Sequence, residues 1–232
     1  MKLVLTCEHA GNEIPKEYKE LFKNKKEILK THRGYDPGAH DVFKHLLYLS
    51  DYNFFHPISR LLVEVNRSVG HPQLFSEFTE ELPETEKKQV LEKFYYSYRH
   101  PVEKTISEIL ETGDKILHIS VHSFTPKWNR KIRNADIGLL YDPSRKLEKE
   151  FCRNFKQQLL VLSPQLNVRY NYPYLGKADG FTTYLRKKFP ENYLGIEVEI
   201  NQKFEANNKM ADSIKQSVYK ALQESTFLLK NG

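Results

Sequence analysis

Short apolar runs alternate with stretches of helical spacing along the chain, and several of the runs end in reactive polar residues. Leu3-Val4-Leu5 leads into Cys7-Glu8-His9-Ala10-Gly11-Asn12, and Leu61-Leu62-Val63-Glu64-Val65 leads into Asn66-Arg67-Ser68. Ile116 to Val121 leads into His122, and Gly195 to Asn201 alternates Ile196, Val198 and Ile200 with Glu197, Glu199 and Asn201. With Phe54-Phe55, Ile137 to Tyr141 and Val168 to Asn171, these runs read as strands bounded by turn residues.

The segments between them read as helices. One follows Pro15 as far as Lys30, with Tyr18, Leu21 and Phe22 on one face, and Val42, Phe43, Leu46 and Leu47 mark a second. A long pattern from Glu84 to Glu111 contains Pro101, which is expected to kink or break it. Leu147 to Leu162 stops before Pro164, a shorter helix covers Thr182 to Lys188, and Met210 to Leu229 carries Ile214, Val218 and Leu222 on one stripe. Strands alternating with helices predict an α/β fold, a mostly parallel or mixed central sheet with helices on both faces. The length fits a single domain over residues 1–232.

Composition narrows the functional classes. Hydrophobic residues make up 39% and charged residues 28% of the chain, as in ordinary globular proteins. The formal net charge of +6 raises nucleic-acid binding. However, Lys and Arg are interleaved with Asp and Glu through Lys16 to Lys30 and Glu84 to Lys93, the pattern of solvated helix faces, so no nucleic-acid partner is expected. No apolar run approaches the ~18 residues of a membrane span. Cys7 and Cys152 form no paired framework, Cys7 reads as a buried structural thiol, and a reduced, cytoplasmic setting is expected.

An open α/β sheet collects ligands outside the carboxyl ends of its strands, where these polar residues fall. Glu197 and Glu199 on a half-buried strand are costly unless a metal, a proton-transfer role or an arginine compensates. An edge strand with a wet polar face would explain them equally well. His122 at a strand end suits a metal ligand or a hydrogen-bonded structural role, whereas His118 lies deeper and reads as structural. His9 precedes Ala10-Gly11, small residues that admit close approach of a ligand. Asp36, ahead of Pro37-Gly38, reads by default as a helix cap. Two histidines and a carboxylate match a catalytic zinc site with one open position. Arg60, Asn66 and Arg67 flank one strand, where a guanidinium could grip a carboxylate or pair at the surface. No Gly-x-Ser-x-Gly, P-loop or Gly-x-Gly-x-x-Gly pattern is present.

Taken in order, Cys7 to Asn12 with Pro15, Gly34-Tyr35-Asp36-Pro37-Gly38-Ala39, Arg60 through Arg67, Val121-His122-Ser123-Phe124, Asn171-Tyr172-Pro173-Tyr174 and Val198-Glu199-Ile200-Asn201 resemble the motifs of the N-formylglutamate amidohydrolase family. The resemblance implies a zinc-carboxypeptidase-like architecture, related to the carboxypeptidase and aspartoacylase group. It also implies a zinc-dependent amide hydrolase acting on a small N-acyl amino acid. His9, Asp36 and His122 match the family's metal ligands, with Glu8 an alternative to Asp36, and Glu199 matches its general base and acid. Arg60, Asn66, Arg67 and Asn171 fall in motifs expected at the substrate. Glu8-His9-Ala10-Gly11, Gly176-Lys177 and Asn201-Gln202 differ from the members that act in histidine degradation and suggest a divergent branch. A noncatalytic metal- or small-molecule-binding protein of the same fold is the rival expectation.

Overall fold

The computed structural model describes residues 1–231. Six strands form one sheet: β1 (Lys2–Cys7), β2 (Tyr52–Phe55), β3 (Ile116–Phe124), β4 (Ile137–Leu140), β5 (Val168–Tyr170) and β6 (Tyr193–Asn201). Their spatial order is β2-β1-β3-β6-β4-β5. All neighbours run parallel except β4, which is antiparallel to β6, so the sheet is mixed. β6 lies between β3 and β4 and is therefore an interior strand, so its carboxylates are not the polar face of a wet edge.

Helices α1 (Ala39–Leu46), α2 (Ser97–Glu111), α3 (Lys146–Leu162), α4 (Phe181–Lys188) and α5 (Asp212–Asn231) cover both faces. Phe43 of α1, Phe155 of α3 and Val218 of α5 bury with Leu5, Ile119 and Val198 of the sheet on one side. Ile106 of α2 and Leu185 of α4 bury on the other, with Val4, Ile116 and Tyr193. Each fully buried side chain of this kind stabilises the fold by roughly 1.5–3 kcal/mol, so the two layers clamp the sheet from both sides. Among the described residues, no helix is long and apolar enough to cross a membrane.

Three expectations need correction. The run Leu61 to Val65 is not a strand: all five residues are buried, but the backbone turns, with Leu62 N–H donating to Ser59 and Glu64 N–H to Leu74. An unbroken apolar run marks burial without specifying an extended backbone. Pro101 does not break its helix: a π turn at Leu91–Tyr96 joins Glu84–Val90 to α2, and α2 runs through the proline. Residues 16–30 form a 3₁₀ segment (Lys16–Phe22) and one α turn (Lys26–Leu29), because Tyr18 and Phe22 alone give no continuous apolar stripe.

Candidate active site

Strand alternation sends Thr6 and Glu8, His118, Ser120 and His122, and Glu197 and Glu199 to the face opposite Leu5, Ile119 and Val198. Most of these polar side chains are buried, so each needs a partner. Deep in the sheet, His118 Nδ1 meets the Tyr193 hydroxyl at 2.6 Å and its Nε2 meets Thr6 Oγ1 at 2.7 Å. Burial holds this imidazole neutral, with its pKa lowered to about 4. Its place is structural, as its depth in the strand suggests.

Nearer the strand ends the network becomes charged. Ser120 Oγ donates to Glu8 Oε2 at 2.6 Å and lies 2.8 Å from His122 Nε2. A hydroxyl has one proton, so a serine that donates to Glu8 accepts from His122. Nε2 therefore carries a hydrogen, and Nδ1 faces the other way, 3.0 Å from Asp36 Oδ2. His9 is held alike: Nε2 is 2.5 Å from Glu64 Oε1, and Nδ1 is 3.2 Å from Asp36 Oδ2. Each imidazole thus has a glutamate behind it and Asp36 in front.

The electrostatics follow from this crowding. Burial opposes charge on His122, but hydrogen bonds to Asp36 and Glu8 push its pKa well above the ordinary range. His9 is also raised, with burial and Arg60 opposed by Glu64 and Asp36. Against the cost of burial, His9, His122 and Arg60 hold Asp36 well below the usual carboxylate range. Glu199 behaves oppositely. It faces His122 in the β3–β6 register, its Oε2 is buried without a hydrogen-bond partner among the described residues, and burial pushes it up to about 8 despite the nearby His122.

Ligating atoms of His9, Asp36 and His122 all lie within 4.8 Å of one another, an arrangement that could hold a metal ion. Ligands ~2.0–2.1 Å from a tetrahedral zinc stand about 3.3 Å apart, close to the 3.0 and 3.2 Å separations of Asp36 from the two imidazoles. Two imidazoles and a carboxylate also suit a zinc-class divalent ion chemically. The donor set therefore fits.

The other sequence candidates take varied places. Asp36 caps no helix: the N-cap of α1 is Gly38, with no side-chain cap, and the Asp36 carboxylate also takes the Ser123 N–H and Arg60 Nη1. Glu8 sits behind the His122 ring, 3.2 Å from Nε2, on the side away from Asp36, and so cannot replace Asp36 as a ligand beside Nδ1. Arg60 already pairs with Glu64 through Nε at 2.6 Å and with Asp36 at 3.3 Å. Arg67 Nη1 donates to the Asp179 and Asn66 carbonyls, while its Nε is buried with no partner among the described residues. Asn66 donates its N–H to Glu64 and accepts the Phe181 N–H on Oδ1 at 2.7 Å. Asn171 is not at the site: its Oδ1 accepts the N–H groups of Tyr141 and Gly176, fixing the loop after β5, and it lines neither cavity described below. Gly11 serves packing against backbone, since a Cβ there would stand 2.4 Å from the Pro57 carbonyl oxygen. Cys7 is fully buried, and its thiol is pushed well up by that burial.

Glu64 escaped the sequence reading. A carboxylate inside Leu61-Leu62-Val63-Glu64-Val65 is the same signal that marks Glu199, an acid among apolar neighbours.

His9, Asp36, His122 and Glu199 line a cavity of about 160 Å³ that also takes in Asn66, Arg67 and Tyr174. A second cavity of about 480 Å³ adjoins it.

The fold is shared with solved structures. A gene product of Agrobacterium tumefaciens superposes with a TM-score of 0.82 at 24% identity, covering 99% of this chain and 92% of that one. An N-formylglutamate amidohydrolase from Ralstonia eutropha gives 0.71 at 13% identity, covering 100% and 95%. No curated protein matches the chain in sequence. The family model for N-formylglutamate amidohydrolase matches residues 1–204, a span that includes His9, Asp36, His122 and Glu199. The chain belongs to the N-formylglutamate amidohydrolase family of hydrolases.

Proposed function

We propose that the protein is a zinc-dependent amidohydrolase that cleaves the C–N bond of a small N-acyl amino acid, as in N-formyl-L-glutamate plus water giving L-glutamate and formate. The reading is carried by one observation: two imidazole Nδ1 atoms and a carboxylate converge beside a buried Glu199 oxygen that has no partner among the described residues. His9, Asp36 and His122 would hold the ion. When bound, zinc supplies Lewis acidity that polarises the amide carbonyl and acidifies water.

The chain's own groups supply the rest. Glu8 and Glu64 hold the Nε2 hydrogens and keep both Nδ1 lone pairs aimed forward. Glu199 Oε2 takes the proton from the attacking water as the C–O bond forms, and passes it to the nitrogen as the C–N bond breaks. A carboxyl whose burial places its pKa near 8 gives up a proton more readily than water and holds it more firmly than an exposed glutamate. Arg67, whose side chain lines both cavities, binds the substrate carboxylate, while Arg60 balances Asp36 and Glu64.

The test is a metal assay with turnover. Purified protein should carry about one equivalent of zinc and hydrolyse N-acyl amino acids, and His122→Ala should lose both. Metal-free protein with activity unaffected by His122→Ala would overturn the proposal.

A further inference from the structure

Sites that bury small-molecule ligands usually enclose ~300–1,000 Å³, and the cavity beside His9, Asp36 and His122, at about 160 Å³, falls short. The adjoining cavity is about 480 Å³, and Asp36, Arg60, Arg67, Ser123 and Tyr174 line both. The outer cavity reaches a customary ligand volume by itself, whereas the inner one, which holds the candidate metal ligands, does not. The inner one is polar, with Glu197, Glu199 and Asp179. The outer one adds flat aromatic surface to its charged residues: Phe75, Phe124, Trp128 and the His32 ring.

Trp128 is the chain's single tryptophan and is 48% exposed, on a hairpin pairing Lys127–Trp128 with Lys131–Ile132. The indole is nonetheless fixed. Arg133 donates to Thr125 Oγ1 and to the Tyr174 hydroxyl at 3.2 Å each, and its guanidinium lies 5.5 Å from the Trp128 ring and 5.1 Å from the Tyr174 ring. His32 meets the indole edge-on at 5.7 Å. A rigid, half-exposed indole on a cavity wall is a ready stacking surface. Glu77 and Glu80 also line this cavity; Glu77 is paired with Arg33, and Glu80 has no ion-pair partner among the described residues, so a glutamate side chain would meet an uncompensated carboxylate.

Resting on the hydrolase reading above, we infer that the outer cavity is a side-chain subsite, and that the substrates are N-acyl amino acids with a small acyl group and an aromatic side chain stacked on Trp128. Arg67 sets the geometry. Arg67 lines both cavities, so a carboxylate held by its guanidinium lies where they meet, the amide on the same carbon reaches the inner cavity and the side chain turns into the outer one.

The only tryptophan makes binding visible without turnover. Zinc-loaded protein is titrated with N-acetyl-L-phenylalanine and with N-acetylglycine while tryptophan emission is followed. In parallel, kcat/KM is measured for N-formyl-L-phenylalanine, N-formyl-L-glutamate and N-formylglycine. A saturable blue shift is expected with the phenylalanine compound and none with the glycine compound, along with faster turnover of the phenylalanine substrate than of the glutamate one. Trp128→Ala should lower the phenylalanine-to-glycine ratio of kcat/KM roughly tenfold, and Trp128→Phe should restore most of it. Turnover with no emission change and an unmoved ratio overturns the subsite and leaves the hydrolase reading standing. A saturable shift without turnover of any substrate supports the subsite and overturns hydrolysis. Neither signal overturns both.

Discussion

Glu8 Oε2 stands 3.2 Å from His122 Nε2, on the side of the imidazole away from Asp36. Together with Ser120 it fixes the hydrogen on Nε2 and leaves Nδ1 as the forward-facing donor. Partners behind a ligating histidine raise its basicity and fix its ring, and losing one typically costs ~10–100-fold in metal affinity. Glu8→Gln should therefore weaken zinc binding by about that factor while the protein stays folded, read by competition with a chromophoric chelator. Unchanged affinity would show that Glu8 is passive.

Glu199→Gln separates proton transfer from metal binding. The side chain keeps its size but can no longer take a proton, so kcat should fall by ~10²–10⁴ with zinc content unchanged. Stability gives an independent check. The folded-state pKa of Glu199, about 8, lies above its ordinary 4.5, so folding favours the protonated form. That contribution is complete below pH 4.5 and is lost as pH rises through 8. Metal-free Glu199→Gln should thus gain stability relative to metal-free wild type as pH rises from 4.5 to 8, measured by urea denaturation. A gap that stays flat across that window would mean Glu199 is ionised in the fold.

The alternation of β3 and β6 made much of this legible. Once His118, Ser120 and His122 share one face with Glu197 and Glu199, a polar stripe inside the protein follows from period two alone. Depth along the stripe also separated structural His118 from His122. Partner identity was not legible, because it is set by contacts distant in sequence. Asp36 looked like a helix cap locally, yet it meets histidines 27 and 86 residues away. Glu64 was hidden because its segment reads as a strand, and a strand would have pointed it elsewhere. Asn171 fell in a matching motif, but its side chain accepts the backbone N–H of Gly176 in its own loop and of Tyr141 just after β4.

Gly138 of β4 pairs with Glu199 across the antiparallel step of the sheet. A Cβ there would lie 2.0 Å from the Tyr172 carbonyl oxygen and 3.3 Å from Glu199 Cβ. Gly138→Ala must therefore displace backbone next to the proton-transfer group. Overpacking of this kind costs ~1–3 kcal/mol, so the urea midpoint should fall and turnover should drop with it. A variant with wild-type stability and activity would mean that the loop at Tyr172 yields freely.

His118 supplies a pH dependence that does not require the metal. It is fully buried between Thr6 and Tyr193, and burial lowers its pKa to about 4 against an ordinary 6.5. Folding thus favours the neutral ring. The stabilisation is complete above pH 6.5 and is lost as pH falls from 6.5 through 4, because the unfolded chain takes up the proton first. The gap between those values corresponds to about 3 kcal/mol, a large fraction of the ~5–15 kcal/mol by which folded domains usually exceed their unfolded state. His118→Gln keeps a hydrogen-bonding side chain and removes the titration. The variant should be less stable than wild type at pH 7.5, where the imidazole bridges both hydroxyls, and the difference should close between pH 6.5 and 4. Urea denaturation of the two proteins across that range measures it, and a constant difference would mean that His118 already binds its proton in the folded state.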